Sequence, residues 1–327
     1  MSAIRSRILP TSYERARRDR QRHQRNKAAL ITLFTLPGMV IFFLFVLFPI
    51  AQSAYFSLFD WEGYGPPTDY IALGNYTRLF NHSVFRTSVS NSFTIMLLSL
   101  VIQLPLSLGL ALLVGRGELP GRGVFRAILF IPYIFSEVIT AIIWRYVLSP
   151  DDGALLNSVL TTFIPGYEPI GWLAERNIVL YALFIVLTWK FFGFHMILYM
   201  AGLQGIPKDL EEAARVDGAT EAQVLRFVTL PLLGSTIRLT IFLSVVGSFQ
   251  QFVLAWVLTN EGGPANASQL LATYLYKFGI SQQKLGYGSA VAIVLFAIAF
   301  GFSVIYQRLF MRHDFATRSV GAGGRTG

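Results

Sequence analysis

The chain has 327 residues, of which 54% are hydrophobic and only 14% are charged, and its formal net charge is +9. Soluble domains carry about 25% charged residues, so this composition and the mean hydropathy of +0.53 exclude an ordinary soluble protein. There is no cysteine, which excludes a disulfide framework and a thiolate metal site. The four histidines have no metal-ligand spacing, and no P-loop motif for ATP is present.

Apolar runs long enough to cross a bilayer dominate the sequence. Residues 1–27 form a basic segment with nine Lys or Arg, for which we expect a solvated, mobile cytoplasmic tail. The run at 28–59 is too long for the apolar region of a signal peptide, so it is predicted to be a retained first span. Five more spans are predicted at about 90–114, 125–148, 178–203, 237–259 and 286–310.

These runs predict an all-α integral membrane protein with six transmembrane helices over residues 28–311. The Gly-rich residues 312–327 are predicted to be a disordered C-terminal tail. With the N-terminus in the cytoplasm, twenty Lys or Arg fall in cytoplasmic segments and five in outside segments. This distribution predicts that both termini are cytoplasmic, and it explains the net positive charge through contact with membrane lipid, without nucleic acid.

A polar stretch at 206–232 lies between the fourth and fifth spans and carries eight charged residues. Pro207 suits the first turn of a helix, where its missing N–H costs nothing. Gly218 permits the positive φ of a sharp turn. Thr220 with Gln223 three residues later has the pattern of a capping box. The sequence therefore predicts two short helices joined by a turn, which we call the elbow, at the cytoplasmic face.

The elbow resembles the EAA loop of binding-protein-dependent ABC importer permeases. The shared positions are Glu212-Ala213-Ala214, then Gly218, then Leu230-Pro231, with Val228 in place of the more usual Ile. The resemblance implies a type I ABC importer permease, in which this loop is a cytoplasmic coupling helix that docks on a separate ATPase subunit. The ATPase-coupling residues that it implies are Glu212, Ala213, Ala214, Asp217, Gly218 and Pro231. The alternative is an ordinary cytoplasmic loop.

Other stretches resemble the branch of these permeases that imports sugars, oligosaccharides and glycerol phosphates. They lie at 56–61, 74–76, 125–132, 144–145 and 258–266. The resemblance covers about 30–311 and implies a heterodimer with a second permease subunit in a bacterial or archaeal cytoplasmic membrane. It also implies an extracytoplasmic substrate-binding protein and two ATPase subunits that hold ATP and Mg²⁺, with no cofactor or metal in this chain.

Glu137, Lys190 and His195 are ionisable side chains within predicted spans, where such groups are costly and are candidates for function. Glu137 and Lys190 are candidate residues of the substrate path. In the functional interpretation, the two residues pair across two helices or one of them places its charge in a water-filled cavity. The alternative is structural: a buried ion pair, or a lysine whose ammonium reaches the membrane interface. For His195 we favour a buried histidine without a ligand.

The fifth span carries a polar stripe, because Ser244, Ser248 and Gln251 recur at i, i+4 and i+7. Gly247 beside them leaves room for a solute. The stripe resembles the helix that holds the sugar in maltose-type importers, with Gln250-Gln251 in place of a pair of asparagines. The resemblance implies a substrate path at Ser244, Gly247, Ser248 and Gln251. Hydrogen bonding between packed helices is the alternative.

The leading functional hypothesis is a permease subunit that is not itself an enzyme and that translocates a sugar, oligosaccharide, polyol or glycerol phosphate by alternating access. One alternative is an ABC permease for another solute, which the loop Gly262-Gly263-Pro264 disfavours. Another is an ion-coupled carrier, which does not explain the spacing of the motif from Glu212 to Pro231 in the elbow. A membrane enzyme finds no support, since no nucleophile–base or metal constellation is present.

Overall fold

The computed structural model describes residues 12–116, 121–150 and 154–311. The predicted C-terminal tail at 312–327 lies outside the described residues. Within the described ranges the regular structure is helical, apart from one isolated antiparallel bridge between Phe59 and Tyr70. The chain divides into two units, residues 1–55 and 56–327.

From residue 12 onward the first unit is one continuous run of helix. Helix α1 (Ser12–Phe42) leads through a π-helical turn at Phe43–Leu47 into α2 (Phe48–Phe56). Its residues 12–27 belong to the segment predicted as a mobile tail. They are helical instead, which suits their Arg, Lys and Gln content. The apolar part, Ala29–Phe56, has 28 residues and a mean hydropathy of 2.6, which is enough to span a bilayer.

The second unit contains the remaining helices. They are α3 Gly74–Asn81, α4 Ser83–Leu98, α5 Leu104–Arg116, α6 Arg122–Ile134, α7 Glu137–Val147, α8 Leu155–Phe163, α9 Val179–Gln204, α10 Lys208–Val216, α11 Glu221–Val224, α12 Leu230–Leu232, α13 Gly234–Gln250, α14 Val253–Leu258, α15 Leu271–Tyr274 and α16 Leu285–Tyr306. A π-helical turn joins α4 to α5, and another joins α11 to α12.

Four helical stretches of the described chain are long and apolar enough to cross a membrane without a sharp bend: Ala29–Phe56, Ser83–Gly115, Val179–Gln204 and Leu285–Phe310. Two further pairs of helices pass the same test but are bent, by 98° between α6 and α7 and by 67° between α11–α12 and α13. The number of spans is therefore four, or up to six if each bent pair is one span.

The predicted third span is not one straight helix. Phe135 and Ser136 have extended backbones, with ψ angles of 146° and 151°, and they separate α6 from α7. Ser136 caps the new helix by accepting the N–H of Ile139. The break was not predicted because 125–148 was interpreted as one apolar run, although Pro132, Ser136 and Glu137 lie at or near the break.

The predicted fifth span is also interrupted. Helix α13 ends at Gln250, Gln251 has an extended backbone, and Phe252 has φ −131° and ψ −69° before α14 begins. The predicted helix at 237–259 is thus two helices, and Gln251 lies at the break between them and not on a helical face.

Helix α9 lies at the centre of the packing of the second unit. Fourteen of its 26 residues are buried, and it contacts α4, α5, α6, α7, α13 and α14. Because α9 is apolar all round, it is suited to the interior of a bundle. Its predicted bounds, 178–203, agree with the observed helix, and its C-terminus leads directly into the elbow.

Candidate functional site

The elbow has the local structure that the sequence predicts. Helix α10 begins one residue after Pro207, and Gly218 turns the chain with φ +87°. The capping box is present, since the backbone N–H of Thr220 donates to Oε1 of Gln223 at 2.8 Å and the N–H of Gln223 donates to Oγ1 of Thr220 at 3.4 Å. The second half runs through α11 and the π-helical turn to Leu232, one residue past Pro231.

An exposed ion pair joins the two halves of the elbow across the Gly218 turn. The guanidinium of Arg215 donates from Nε to Oε1 of Glu221 at 2.6 Å and from Nη2 to Oε2 at 3.2 Å. These hydrogen bonds raise the pKa of Arg215 above its ordinary value. The paired geometry restrains the angle between α10 and α11, although exposure limits its energetic contribution.

Glu211 and Glu212 are adjacent but have opposite environments. Glu211 is 7% exposed, and its Oε1 accepts a hydrogen bond of 2.6 Å from Oγ1 of Thr229. Glu212 and Ala213 are exposed, Ala214 is half-buried, and Asp217 is exposed. The sequence did not reveal which glutamate is buried. Large apolar side chains are also exposed on the elbow: Leu210 47%, Val216 86% and Phe227 67%.

A cavity of about 750 Å³ lies beside the elbow, and both charged and apolar side chains line it. Its charged lining residues are Arg122, Arg126, Lys208, Glu211, Glu212, Arg215 and Glu221. Arg126 also binds the C-terminal end of α5, because its Nη2 donates to the carbonyl oxygens of Val114 at 3.0 Å and Gly115 at 3.2 Å. The end of α5 and the start of α6 therefore lie next to the elbow, although they are distant from it in sequence.

A second cavity, of about 200 Å³, lies among the apolar helices. We call it the solute cavity after the role that we propose for it. All four residues predicted from the stripe line it: Ser244, Gly247, Ser248 and Gln251. The other lining residues are Ile95, Ser99, Gln103, Tyr133, Leu187, Phe191, Phe194, His195 and Leu243. The structure therefore brings the stripe together with side chains of α4–α5, α6 and α9.

The two serines of the stripe also form hydrogen bonds within the protein. The hydroxyls of Ser99 and Ser244 lie 2.8 Å apart, and Ser99 donates to Oε1 of Gln103 at 2.8 Å. Ser248 donates to the carbonyl of Ser244 at 2.8 Å. Part of the stripe thus connects packed helices, as the alternative interpretation proposed.

Gln251 and His195 differ from the serines of this cavity. Oε1 of Gln251 and Nδ1 of His195 are buried and have no hydrogen-bond partner among the residues described. Since buried polar atoms are nearly always paired, these two atoms are an unused hydrogen-bonding capacity in side chains that line the cavity, although the atoms themselves are buried in this state. His195 was not assigned to the site from the sequence.

Lys190 and Glu137 are not among the described residues that line the solute cavity. Nζ of Lys190 donates to the carbonyl oxygens of Pro132 at 3.2 Å, Tyr133 at 2.9 Å and Phe135. Oε2 of Glu137 accepts the backbone N–H of Leu254 at 3.2 Å. Each of these two side chains therefore binds backbone at an interrupted helix.

Several residues that line the solute cavity were not predicted as site residues from the sequence. Ser99 and Gln103 are polar residues four apart within an apolar span, a signal that would have indicated them. Tyr133 lies directly before the break after α6, and nothing local distinguishes it from a packing aromatic. Phe249, a sequence neighbour of the stripe, is 2% exposed and packs in the core, away from the cavity.

The fold and these two sites define a multi-pass helical permease subunit. Residues 103–312 match the family described as binding-protein-dependent transport system inner membrane component. This match covers more than half of the chain, so the chain belongs to that family, and it is an ABC transporter permease subunit.

Related proteins match more than four fifths of the chain. The trehalose/maltose transport system permease protein MalF of Thermococcus litoralis is 33% identical over 86% of this chain and 94% of its own length. The arabinooligosaccharides transport system permease protein AraP of Bacillus subtilis is 31% identical over 87% of this chain and 89% of its own. A probable ABC transporter permease of Pyrococcus horikoshii is 32% identical over 82% and 91%, respectively.

The fold is also similar to that of a solved transporter. A chain of a bacterial ABC transporter involved in the import of the acidic polysaccharide alginate superposes with a TM-score of 0.76 at 23% identity, over 90% of this chain and 99% of that one. At this identity the likeness shows the fold alone.

Proposed function

We propose that this chain is the membrane permease of an ATP-driven importer, and that it translocates a sugar, an oligosaccharide or a related polyol or glycerol phosphate by alternating access. The observation that carries the proposal is the solute cavity, which combines free amide and imidazole groups with aromatic side chains. The functions for which two relatives are named, transport of arabinooligosaccharides and of trehalose and maltose, support a carbohydrate as the solute.

The lining of the cavity suits a sugar. Carbohydrates present hydroxyls to hydrogen-bonding groups and C–H faces to apolar and aromatic side chains. Gln251 and His195 offer the polar groups, and Tyr133, Phe191 and Phe194 offer aromatic surface. The volume of about 200 Å³ is below that of typical ligand pockets. We therefore infer that this chain holds about one sugar ring and that the partner permease completes the site.

The elbow is the proposed site of coupling to ATP hydrolysis. Glu212, Ala213 and Asp217 are exposed and Ala214 is half-buried on a short helix whose geometry is restrained at the Gly218 turn. In our proposal this surface docks into one of two ATPase subunits, which bind ATP and Mg²⁺. The full assembly also contains a second permease and an extracytoplasmic binding protein that delivers the solute.

The proposed topology counts α6 with α7 as one span and α13 with α14, which follow the elbow, as another, which makes six spans with both termini in the cytoplasm. The elbow then lies on the cytoplasmic side, where an ATPase subunit can reach it. The charge distribution along the chain supports this orientation.

Uptake by the reconstituted complex tests the proposal. The permease would be purified with its partner permease and ATPase subunits, placed in liposomes, and supplied with its binding protein and a panel of solutes. The panel contains a disaccharide, an oligosaccharide, a glycerol phosphate and an amino acid. We expect ATP-dependent uptake of a carbohydrate or glycerol phosphate only. Uptake of the amino acid would overturn the solute class, and uptake driven by an ion gradient without ATP would overturn the importer.

A further inference from the structure

We propose that Lys190 and Glu137 are positioning residues of the solute cavity: they hold the two helix breaks that carry Tyr133 and Gln251, and they do not bind the solute. This inference rests on the proposed function, because it concerns the cavity assigned there to the sugar. It follows from the two interrupted helices, which meet at α9.

The first break leaves backbone carbonyls without helical partners. Helix α6 ends at Ile134, and the extended residues that follow remove the N–H groups that would continue the ladder. Lys190 supplies three donors to this end, at Pro132, Tyr133 and Phe135. The C-terminus of a helix carries a partial negative charge, so a buried ammonium is well placed there.

The same ammonium determines where the ring of Tyr133 lies. Nζ of Lys190 is 5.6 Å from the centroid of that ring, in addition to its hydrogen bond to the carbonyl of the same residue. The ring stacks on Phe194 with centroids 5.0 Å apart, and both rings line the solute cavity. Lys190 therefore helps to fix the ring of Tyr133, which is part of the aromatic lining of the cavity.

Glu137 has the corresponding role at the second break. Its carboxylate accepts the N–H of Leu254 in the first turn of α14, three residues after Gln251. Glu137 is also the first residue of α7, so its negative charge lies near the positive ends of two helices. By fixing the start of α14, Glu137 restrains the path of the chain between α13 and α14, where Gln251 lies.

The hydrogen-bonding capacity of Lys190 is used within the protein. A lysine has three N–H donors, and those of Lys190 have three carbonyl partners. With its side chain 3% exposed, Lys190 has no donor left for a solute.

Thiol labelling tests the inference without a solute. The chain has no cysteine, so Gln251→Cys gives this chain a single thiol, and its labelling in the assembled complex is measured on this chain after the subunits are separated. We expect Glu137→Ala to raise the labelling rate of the cysteine at position 251 at least fivefold, because the start of α14 is no longer held by a hydrogen bond to Glu137. Glu137→Gln is the matched control: its amide oxygen still accepts from Leu254, and we expect a rate within twofold of the parent. Equal rates in all three, or equal effects of Ala and Gln, would overturn the role of the hydrogen bond.

Uptake kinetics separate positioning from solute binding at Lys190. We expect Lys190→Met to raise the half-saturating solute concentration about tenfold, by the same factor for the parent sugar and for each of its monodeoxy analogues. If Lys190→Met did not raise the half-saturating concentration of one analogue, Lys190 would contact the hydroxyl that this analogue lacks, and the inference would be overturned. Wild-type affinity in Lys190→Met would also overturn it, whereas a wild-type complex that transports no sugar overturns the proposed function itself.

Discussion

The hydroxyl of Thr229 donates a hydrogen bond of 2.6 Å to the carboxylate of Glu211, and this contact joins the two halves of the elbow from the inside. Glu212, the next residue, is exposed. One glutamate of the pair thus stabilises the elbow, and the other is free to meet a second protein. The two residues should respond differently to mutation.

Thr229→Val keeps the shape of the side chain but removes the donor to Glu211. We expect a loss of about 1–3 kcal/mol in the stability of the elbow, because a buried carboxylate loses a hydrogen bond. The measurement is the thermal unfolding temperature of the purified complex, with Thr162→Val, at a hydroxyl on an exposed turn, as the control. An unfolding temperature equal to that of the control would contradict the stabilising role.

Glu212→Lys changes the charge of an exposed side chain on the proposed docking surface. We expect the permease to insert and unfold as the wild type does, but to bind its ATPase subunits more weakly or to lose stimulation of ATP hydrolysis by loaded binding protein. Co-purification and ATPase assays measure both effects. If the variant bound its ATPase subunits in the normal ratio and loaded binding protein stimulated ATP hydrolysis normally, α10 would have no role in coupling.

Gly218 has φ +87°, and a β-carbon at this position would meet no atom within 4 Å. The cost of a substitution is therefore backbone strain without a clash, on the order of 1 kcal/mol or more. We expect Gly218→Val to impair uptake strongly, whereas Gly218→Asn retains most of it because asparagine tolerates positive φ. Uptake and expression level are measured together, and equal uptake by both variants would contradict the requirement for this turn.

Gln251 and Gln250 are neighbours with different environments, since Gln251 lines the solute cavity and Gln250 is exposed. We expect Gln251→Ala to raise the half-saturating concentration for uptake, by an amount equivalent to about 1–3 kcal/mol for a lost buried hydrogen bond. Gln250→Ala is expected to behave as wild type. If both variants transport with wild-type kinetics, the stripe serves helix packing.

Single cysteines test the proposed orientation in this cysteine-free chain. Asp217 lies at the elbow and Gln282 in the loop before α16, and both are exposed. We expect an impermeant thiol reagent added outside intact cells to label Gln282→Cys but not Asp217→Cys. The reverse pattern would show that the N-terminus is outside and would remove the elbow from reach of a cytoplasmic ATPase.

Features that depend on residues a few positions apart were predictable from the sequence. The capping box at Thr220, the turn at Gly218 and the bounds of α9 each follow from local chemistry or from an uninterrupted apolar run. The grouping of Ser244, Gly247 and Ser248 was also predictable, because helical periodicity alone brings them to one face.

Only the tertiary structure decided where two of the predicted spans are broken. The carbonyls that α6 leaves free are bound by Lys190, which is 55–58 residues further along the chain, and α14 is capped by Glu137, which is 117 residues before Leu254. A broken helix among apolar helices is stable only when such distant groups satisfy its backbone. An apolar run read along the chain contains no information about them, and so the positions of Tyr133 and Gln251 at the cavity depend on packing.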